Sequence, residues 1–365
     1  MNKIVLGIEA LHVNMKKITG IERYVLLVLE ALNSYCFAYE KIKKIIIFAS
    51  DEFDVHLYDN LNIEFRVSNI HIFTENVNLV QPDLLHCTFV PPELDISVPV
   101  VYTLHDVGRY LYPEYMDQAL MREHIYKLDQ LLKANKCTIL TVSESSKLQI
   151  QKVLKINDDI SFCAPLYPNE NFCVRVSNMD EDLPYLLKLK LSNFILVVGC
   201  FIPTKNVISI IHAYKKCMSG RKIPDNTELV IVGRVGWDTE VEEISQKTNG
   251  VRRLTDVSDD ELLQLYKGCK LFVSASLIEG FGLPLIEAAY LKAPIICSKI
   301  PPYCEILPSL GHFFSPLSID EIADGMYNFF GQNIDYTKDI SKFCAENMGR
   351  LLLNCYDDSL SILKM

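Results

Sequence analysis

The chain has 365 residues, of which 49% are hydrophobic and 22% charged, so it can bury a large core, and its length favours two domains. The formal net charge of −10 is spread over both halves. With no basic domain or tail to hold a polyanion, nucleic acid is excluded as an expected partner. The 12 cysteines lack CxxC or zinc-type spacing, and no signal-peptide or membrane-spanning pattern is evident. We therefore expect a soluble, cytoplasmic protein.

Short runs rich in Val, Ile and Leu recur along the chain, each followed by a turn and a segment with helical periodicity. Continuous apolar runs are typical of strands buried on both faces of a parallel sheet. The predicted strands are 3–10, 44–50, 83–88, 100–106 and 137–143 in the first half, and 194–199, 228–233, 270–276 and 293–299 in the second. Alternating strands and helices predict an α/β fold with two Rossmann-like, doubly wound domains.

The first predicted helix follows the first strand. The segment "TGIE" (19–22) has a capping-box pattern, with Thr19 as N-cap and Glu22 at the third helical position. Apolar residues then fall on one face of the helix: Ile21, Tyr24, Val25, Val28 and Leu32. Ligands of open α/β sheets bind beyond the carboxyl ends of the strands, so the loop before this helix is a candidate ligand contact.

A polar segment without clear periodicity, 167–193, separates the two series of strands. Such a segment is typical of a connection between domains. We predict an N-terminal domain over 1–170, a linker over 171–189 and a C-terminal domain over 190–343.

The stretch "KLFVSASLIEGFGLPLIEAAYLKA" (270–293) points most clearly to chemistry. A strand leads into a turn in which Gly280 and Gly282 allow close ligand approach. The helix that follows directs free amides and its positive dipole end into the loop, which makes an anion site. Glu279 and Glu287 stand around this turn, and a carboxylate there could accept the hydroxyls of a ribose. Each glutamate alone is also typical of an ordinary helix start.

Other nucleotide-binding patterns are missing from the sequence. No G-x-G-x-x-G follows a predicted strand and no P-loop motif exists, which argues against a dinucleotide dehydrogenase or a P-loop enzyme. No Asp-x-Asp element stands at a strand end, so no metal site is predicted.

The segment "EGFGLPLIE" (279–287) resembles the E-x7-E element of retaining family 4 glycosyltransferases, which have the GT-B fold. The segments 229–244, 257–307 and 313–330 are similar to the donor-binding domain of that family in order and spacing. In the first half, "GIERYVLLVLEAL", "VVYTLHDVGRYLYPE" and "TVSESSK" resemble the bacterial mannosyl- and rhamnosyltransferase branch. The resemblance implies two Rossmann-like domains that face a central cleft, with a helix over 344–365 packed back on the first domain.

The resemblance also implies roles for individual residues. Glu287 would bind the ribose of a sugar nucleotide, and Glu279 would lie beside the donor sugar. Lys205 would neutralise the diphosphate. His105 would face the sugar from the first domain, although a structural pair with Asp106 is the alternative. Further implied donor contacts are Gly20, Gly199, Arg234, Gly280, Phe281, Gly282 and Leu283.

Two positions depart from the family pattern. Cys200 and Thr204 stand where many relatives carry Arg, so one positive charge at the diphosphate would be missing. Arg234 is a candidate replacement, and a solvated side chain is the alternative interpretation. The departures also favour a catalytically degenerate subunit that binds a nucleotide without turning it over.

The resemblance implies a retaining hexosyltransferase that needs neither metal nor cofactor. Its donor would be a nucleotide sugar, with GDP-mannose favoured, and its acceptor a glycan or lipid-linked oligosaccharide in bacterial O-antigen or other surface polysaccharide synthesis. Such work implies peripheral contact with the inner face of a membrane. Lysines that could touch anionic lipid are Lys16, Lys17, Lys41, Lys43 and Lys44. A sugar-nucleotide epimerase or hydrolase on the same fold is the other enzyme alternative.

Overall fold

The structure is a computed structural model that describes residues 3–13, 20–35, 38–50, 62–69, 71–89, 91–115, 118–168, 183–234, 236 and 238–363. It divides into two compact units. Unit 1 comprises Met1–Tyr167 together with Phe343–Met365, and unit 2 comprises Pro168–Lys342.

Unit 1 is built on a parallel sheet. Its strands are β1 (Ile4–Ala10), β2 (Ile42–Ala49), β3 (Ile63–Val67), β4 (Leu84–Cys87), β5 (Val100–Thr103), β6 (Cys137–Thr141) and β7 (Ser161–Cys163). They lie in the order β3-β2-β1-β4-β5-β6-β7. The direction of winding reverses between β1 and β4, and such a switch point is where open α/β sheets bind ligands.

The helices of unit 1 cover its sheet. They are Gly20–Ser34, Ala38–Lys41, Phe73–Val80, Gly108–Leu111, Gln118–Lys133, Glu144–Leu154 and Ala345–Leu363. The first helix buries the predicted apolar face at Tyr24, Val25, Val28 and Leu32. Thr19 and the Ile21 side chain lie outside the described residues, and with them the predicted cap.

The C-terminal helix, Ala345–Leu363, packs in unit 1 against the helix Gly20–Ser34. Gly349 permits close contact, because a Cβ at this position would lie 2.3 Å from the carbonyl oxygen of Ala31. A buried hydrogen bond of 2.8 Å joins His86 Nδ1 to the Tyr356 hydroxyl. Burial lowers the pKa of His86 to about 3, so this contact is uncharged at neutral pH.

Unit 2 repeats the architecture with its own parallel sheet. Its strands are β8 (Phe194–Val198), β9 (Glu228–Val232), β10 (Val251–Leu254), β11 (Leu271–Ser274), β12 (Ile295–Ser298) and β13 (Phe313–Phe314), in the order β10-β9-β8-β11-β12-β13. Its helices are Pro184–Leu189, Val207–Ser219, Thr239–Lys247, Asp259–Gly268, Leu283–Tyr290, Pro301–Ile306, Ile319–Phe329 and Thr337–Ile340. The switch point lies between β8 and β11.

The two parallel sheets confirm the predicted α/β, doubly wound fold, and all nine predicted strands are present. The strands that the sequence analysis missed are β3, β7, β10 and β13, and each lies at an edge of its sheet. An edge strand is less covered than an interior one, as Val67 on β3 shows with 62% of its surface exposed. A search for continuous apolar runs therefore finds interior strands and misses edges.

The described residues include only parts of two predicted features, the linker and the lysines expected to touch lipid. Most of the predicted linker 171–189 lies outside the described residues, as do Lys16 and Lys17. Of the other lysines predicted to touch lipid, Lys41 forms an ion pair with Asp357, and Lys44 forms one with Glu64. In the described part of the chain, no helix has the length and apolar character needed to cross a bilayer.

Candidate functional site

Two loops meet at the switch point of the unit 2 sheet. The β8 loop is residues 199–206, and the β11 loop is residues 275–282. The amide of Leu277 donates to the carbonyl oxygen of Thr204 at 2.8 Å, and Asn206 Nδ2 donates to the carbonyl oxygen of Ala275 at 3.2 Å. The sheet topology and these cross-loop hydrogen bonds thus hold the two loops side by side.

The β8 loop depends on close backbone contact. A Cβ at Gly233, just after β9, would lie 1.8 Å from the carbonyl oxygen of Gly199, so no larger residue fits there without movement of the loop. The Lys205 side chain lies over Gly199, with carbons 3.8 Å from a Cβ built on that glycine. Gly199 and Lys205 line a recess together with Ser274 at the end of β11 and Ser276 of the β11 loop.

Glu279 is held through one of its two carboxylate oxygens. Lys205 Nζ donates to Oε1 at 2.5 Å and the Ser276 hydroxyl donates to it at 2.7 Å. The Tyr303 hydroxyl lies 3.1 Å from the same oxygen. Oε2 receives no hydrogen bond from the described residues. The carboxylate is therefore fixed in position and keeps one oxygen available for a ligand.

Tyr303 and Ser276 are site residues that the sequence analysis missed. Tyr303 is buried, and burial together with the charge of Glu279 raises its pKa well above the usual range, so the hydroxyl stays protonated. It also lies 2.7 Å from the Ser274 hydroxyl. The "SAS" at the end of β11 was a readable signal, since alternate strand residues point to one face. No signal marked Tyr303, which lies in the helix Pro301–Ile306.

The helix Leu283–Tyr290, named here the site helix, begins at the end of the β11 loop. Gly282 precedes it with a φ of 119°, and the amides of Gly282 and Leu283 donate no backbone hydrogen bond within the described residues. Free amides at a helix N-terminus attract anions. The predicted contacts Gly280 and Phe281 are buried in the same turn.

Glu287 lies on the site helix and is 4% exposed. Its Oε2 accepts a hydrogen bond of 3.0 Å from the hydroxyl of Tyr266, which belongs to the helix Asp259–Gly268. A buried carboxylate needs such partners to offset the loss of hydration. Tyr266 is thus a third residue around the predicted pair of glutamates that sequence reasoning did not find.

Substituting Gly282 with Ala should destabilise unit 2. The backbone there is left-handed, and a Cβ would lie 2.6 Å from Tyr303 Cε1, so the substitution adds a clash to the strain. We expect a loss of about 2 kcal/mol or more in the free energy of unfolding, measured by urea titration. Gly331→Ala is the matched control, because Gly331 also has a positive φ of 71° but no atom within 4 Å of the added Cβ. Equal losses in both variants would contradict the role of Tyr303.

The structure also locates the departures from the family pattern. Burial raises the pKa of the Cys200 thiol, and the positive charges of Arg234 and Lys205 oppose that shift. Two cations therefore lie near position 200, although Arg234 itself is exposed. Thr204 is 4% exposed, so the other departure is a buried residue of the β8 loop.

Two predicted residues belong to unit 1. His105 follows β5, and its Nε2 donates to the carbonyl oxygen of Thr88 at 3.1 Å. This contact differs from the alternative pair with Asp106, whose Oδ1 accepts from the Gly108 amide at 2.6 Å. Burial lowers the pKa of His105 to about 4, so the ring is neutral at pH 7. Gly20 begins the first helix, and a Cβ there would meet no atom within 4 Å.

Comparison with known proteins adds an independent line of evidence. The family model "Glycosyl transferases group 1" matches residues 179–342. The match covers less than half of the chain. The β8 loop, the β11 loop and the site helix all lie within the matched residues, which coincide closely with unit 2.

Two curated relatives are O-antigen chain mannosyltransferases. Mannosyltransferase B of Escherichia coli is 28% identical over 241 residues, which is 64% of this chain and 61% of the relative. RfbU of Salmonella typhimurium strain LT2 is 28% identical over 219 residues, which is 59% of this chain and 56% of the relative. The matches thus span less than two thirds of either relative.

The solved structures extend the likeness over the whole chain. A glycosyltransferase from Rickettsia africae ESF-5 has a TM-score of 0.69 at 16% identity, covering 99% of both chains. With the two doubly wound sheets, this likeness shows that the fold is the GT-B fold that the sequence resemblance implied.

Proposed function

We propose that this protein is a retaining, metal-independent glycosyltransferase. It moves a hexose, with mannose favoured, from a nucleotide-sugar donor to a glycan acceptor. The observation that carries the proposal is the contact of Lys205 with Glu279 at the switch point of a glycosyl transferases group 1 domain. The β8 loop supplies the cation, and the β11 loop supplies the carboxylate and the helix amides.

The positive groups of the site suit the leaving group of the reaction. Breaking the bond between sugar C1 and phosphate oxygen leaves extra negative charge on the nucleoside diphosphate. Lys205 and the amides of Gly282 and Leu283 would stabilise that charge, and fixed donors of this kind are commonly the largest catalytic contribution. Arg234, near Cys200, would add a second cation. These groups supply the charge that a metal ion provides in other transferases.

Glu279 would act on the sugar side of the broken bond. Its Oε1 is occupied by Lys205, Ser276 and Tyr303, and its Oε2 is available to a sugar hydroxyl or to the positive charge that develops at C1. The acceptor oxygen then bonds to C1 with retention of configuration, and its proton passes to the departing diphosphate.

The remaining predicted residues would position the donor. Glu287, held by Tyr266, would accept the ribose hydroxyls. Backbone groups near the sugar and diphosphate would come from Gly199, Gly280 and Phe281, and unit 1 would contribute Gly20 and the neutral ring of His105.

The names of the two relatives support mannose and surface polysaccharide. Both relatives are called O-antigen chain mannosyltransferases, so we infer GDP-mannose as the donor and a lipid-linked oligosaccharide as the acceptor. We infer a cytoplasmic protein with peripheral contact at the inner membrane face. The ion pairs of Lys41 and Lys44 leave the exposed Lys43 as the best described candidate of the predicted lysine group for that contact.

A thermal-shift panel tests the proposal. It contains GDP-mannose, GDP-fucose, UDP-glucose, UDP-galactose, UDP-N-acetylglucosamine, dTDP-rhamnose and NADH, each with and without EDTA. A bound ligand raises the melting temperature by mass action. We expect one sugar nucleotide, GDP-mannose, to shift it in both conditions. The proposal would be contradicted if none of the sugar nucleotides raised the melting temperature, or if EDTA abolished the shift.

A further inference from the structure

Among the described residues of unit 1, one partly buried cation forms no ion pair with a carboxylate. Arg109 lies in the helix Gly108–Leu111, and its Nη1 donates to His124 Nδ1 at 2.7 Å. Its guanidinium carbon lies 5.1 Å from the centroid of the Phe89 ring. Among the described residues, no carboxylate forms an ion pair with Arg109. Removing a guanidinium from water without a counter-charge is costly, so the site favours an incoming anion.

His124 is set up as a second donor by the same contact. Because Arg109 has no lone pair, His124 Nδ1 must accept its hydrogen bond, and the ring proton is therefore on Nε2. Burial lowers the pKa of His124 to about 4, and the charge of Arg109 adds to this shift. The charges of Glu123 and Glu9 oppose this lowering of the pKa, and the charge of Lys127 adds to it. Lys127 is already paired with Glu123 at 2.8 Å.

A buried carboxylate at the end of β1 is held by several hydrogen-bond donors. Glu9 at the end of β1 is fully buried and accepts hydrogen bonds from His12 Nδ1 at 3.2 Å and from the Phe89 amide at 3.0 Å. It also accepts from the amides of Leu11 and Thr88. Glu9 is held by these donors, and within the described residues it forms no direct ion pair with Arg109.

His12 adds a further polar atom beside the same aromatic ring. Its ring centroid lies 5.2 Å from that of Phe89, and the ring of His124 lies 5.6 Å from Phe89. His12 Nε2 is buried and has no hydrogen-bond partner among the described residues. Because Nδ1 donates to the Glu9 carboxylate, Nε2 of the neutral ring carries a lone pair and can accept a hydrogen bond.

These residues meet at the switch point of the unit 1 sheet. Glu9 lies on β1, Phe89 follows β4, and Arg109 follows β5. The carboxyl ends of strands at a switch point form the usual ligand crevice of such a sheet. We propose that Arg109, His124 and His12 bind a phosphate or diphosphate ester carried by the glycosyl acceptor. That the anion belongs to a glycosyl acceptor rests on the proposed function, whereas the anion site itself rests on the unit 1 contacts.

The chemistry of the three side chains suits a phosphate ester. A guanidinium presents several N–H groups in a plane and binds phosphate oxygens in pairs. His124 Nε2–H adds a neutral donor, and His12 Nε2 can accept a hydrogen bond from a hydroxyl group of the ligand. Phosphate chemistry of this kind is shared by lipid diphosphates and by soluble phosphorylated glycans, so the test must separate the two sources.

The test follows His124 by NMR in full-length protein labelled with 13C-histidine. The background variant Lys205→Ala removes the cation of the unit 2 site. Titration with inorganic pyrophosphate should shift the His124 imidazole signals, and Arg109→Gln should weaken the apparent affinity about tenfold or more. Arg109→Lys keeps the charge and should restore part of the affinity. Lys133→Gln is the matched charge control, because it removes an exposed cation paired with Asp129 at 2.6 Å. This variant should bind pyrophosphate with the same apparent affinity as the background variant.

A parallel titration with farnesyl diphosphate separates the sources. If farnesyl diphosphate binds more tightly than pyrophosphate, the acceptor is lipid-linked. If the two bind equally, the acceptor is a soluble phosphate ester. An unmoved His124 signal, or an equal shift in Arg109→Gln, would overturn the anion site. Because the readout needs no nucleotide and no transfer, a failed sugar-nucleotide panel with an intact His124 shift would reject the transferase and retain the site.

Discussion

Replacing Glu279 with Gln should lower the rate of sugar transfer about 100-fold or more, with a much smaller effect on nucleotide affinity. Gln keeps the size of the side chain and can still accept hydrogen bonds from Ser276 and Tyr303. It removes the negative charge that would oppose the positive charge at sugar C1, and it breaks the ion pair with Lys205. The loss is therefore expected in kcat, measured with the donor that the thermal-shift panel identifies.

A matched control separates the role of Glu279 from a general loss of an ion pair. Glu243 forms a Glu–Lys pair with Lys247 on the surface of the same unit, with both side chains largely exposed. Glu243→Gln should transfer sugar at the wild-type rate, since exposed pairs contribute little. Glu279→Ala should be at least as slow as Glu279→Gln. Wild-type rates in both Glu279 variants would reject a catalytic role for this carboxylate.

Replacing Glu287 with Ala should weaken nucleotide binding, with a dissociation constant raised about tenfold to 100-fold. Glu287 is 4% exposed and is held by the Tyr266 hydroxyl, and under the proposed function its carboxylate accepts the ribose hydroxyls. Glu287→Gln retains the side-chain volume and should fall between the wild type and the Ala variant. Isothermal titration calorimetry with the nucleoside diphosphate measures the effect directly.

Tyr266→Phe is the companion variant for Glu287. It removes the 3.0 Å hydrogen bond and leaves the carboxylate in place, so it tests whether the orientation of Glu287 matters. We expect a smaller loss of affinity than in Glu287→Ala. Unfolding curves of each variant show whether the fold is intact. An unchanged dissociation constant in Glu287→Ala with an intact fold would show that the ribose binds elsewhere.

The interior of both sheets could be predicted from the sequence because strands covered on both faces are continuously apolar. The edge strands could not, since β3 has no fully buried residue and β13 has two residues. The helix start at Gly282 was also readable. Its positive φ and the Pro that follows are local properties, and local properties appear in the local sequence.

The contacts that fix the candidate site were beyond sequence reasoning. Lys205 and Glu279 are 74 residues apart, and their pairing depends on the adjacency of β8 and β11 in the sheet. Tyr303 reaches Glu279 from a helix that follows the next strand. In unit 1, the Arg109 contact with His124 depends in the same way on tertiary packing. The resemblance suggested roles for single residues, and the structure supplied their partners.

Calorimetric titration of GDP into the wild type and into Lys205→Ala tests whether the β8 loop binds the diphosphate of the donor. We expect GDP to bind the wild type and to bind Lys205→Ala about tenfold more weakly or worse, because the diphosphate loses the Lys205 cation. Lys216→Ala, which removes an exposed cation paired with Asp320 on the same unit, should bind GDP like the wild type. Equal GDP affinity in the wild type and Lys205→Ala would contradict the placement of the diphosphate at the β8 loop.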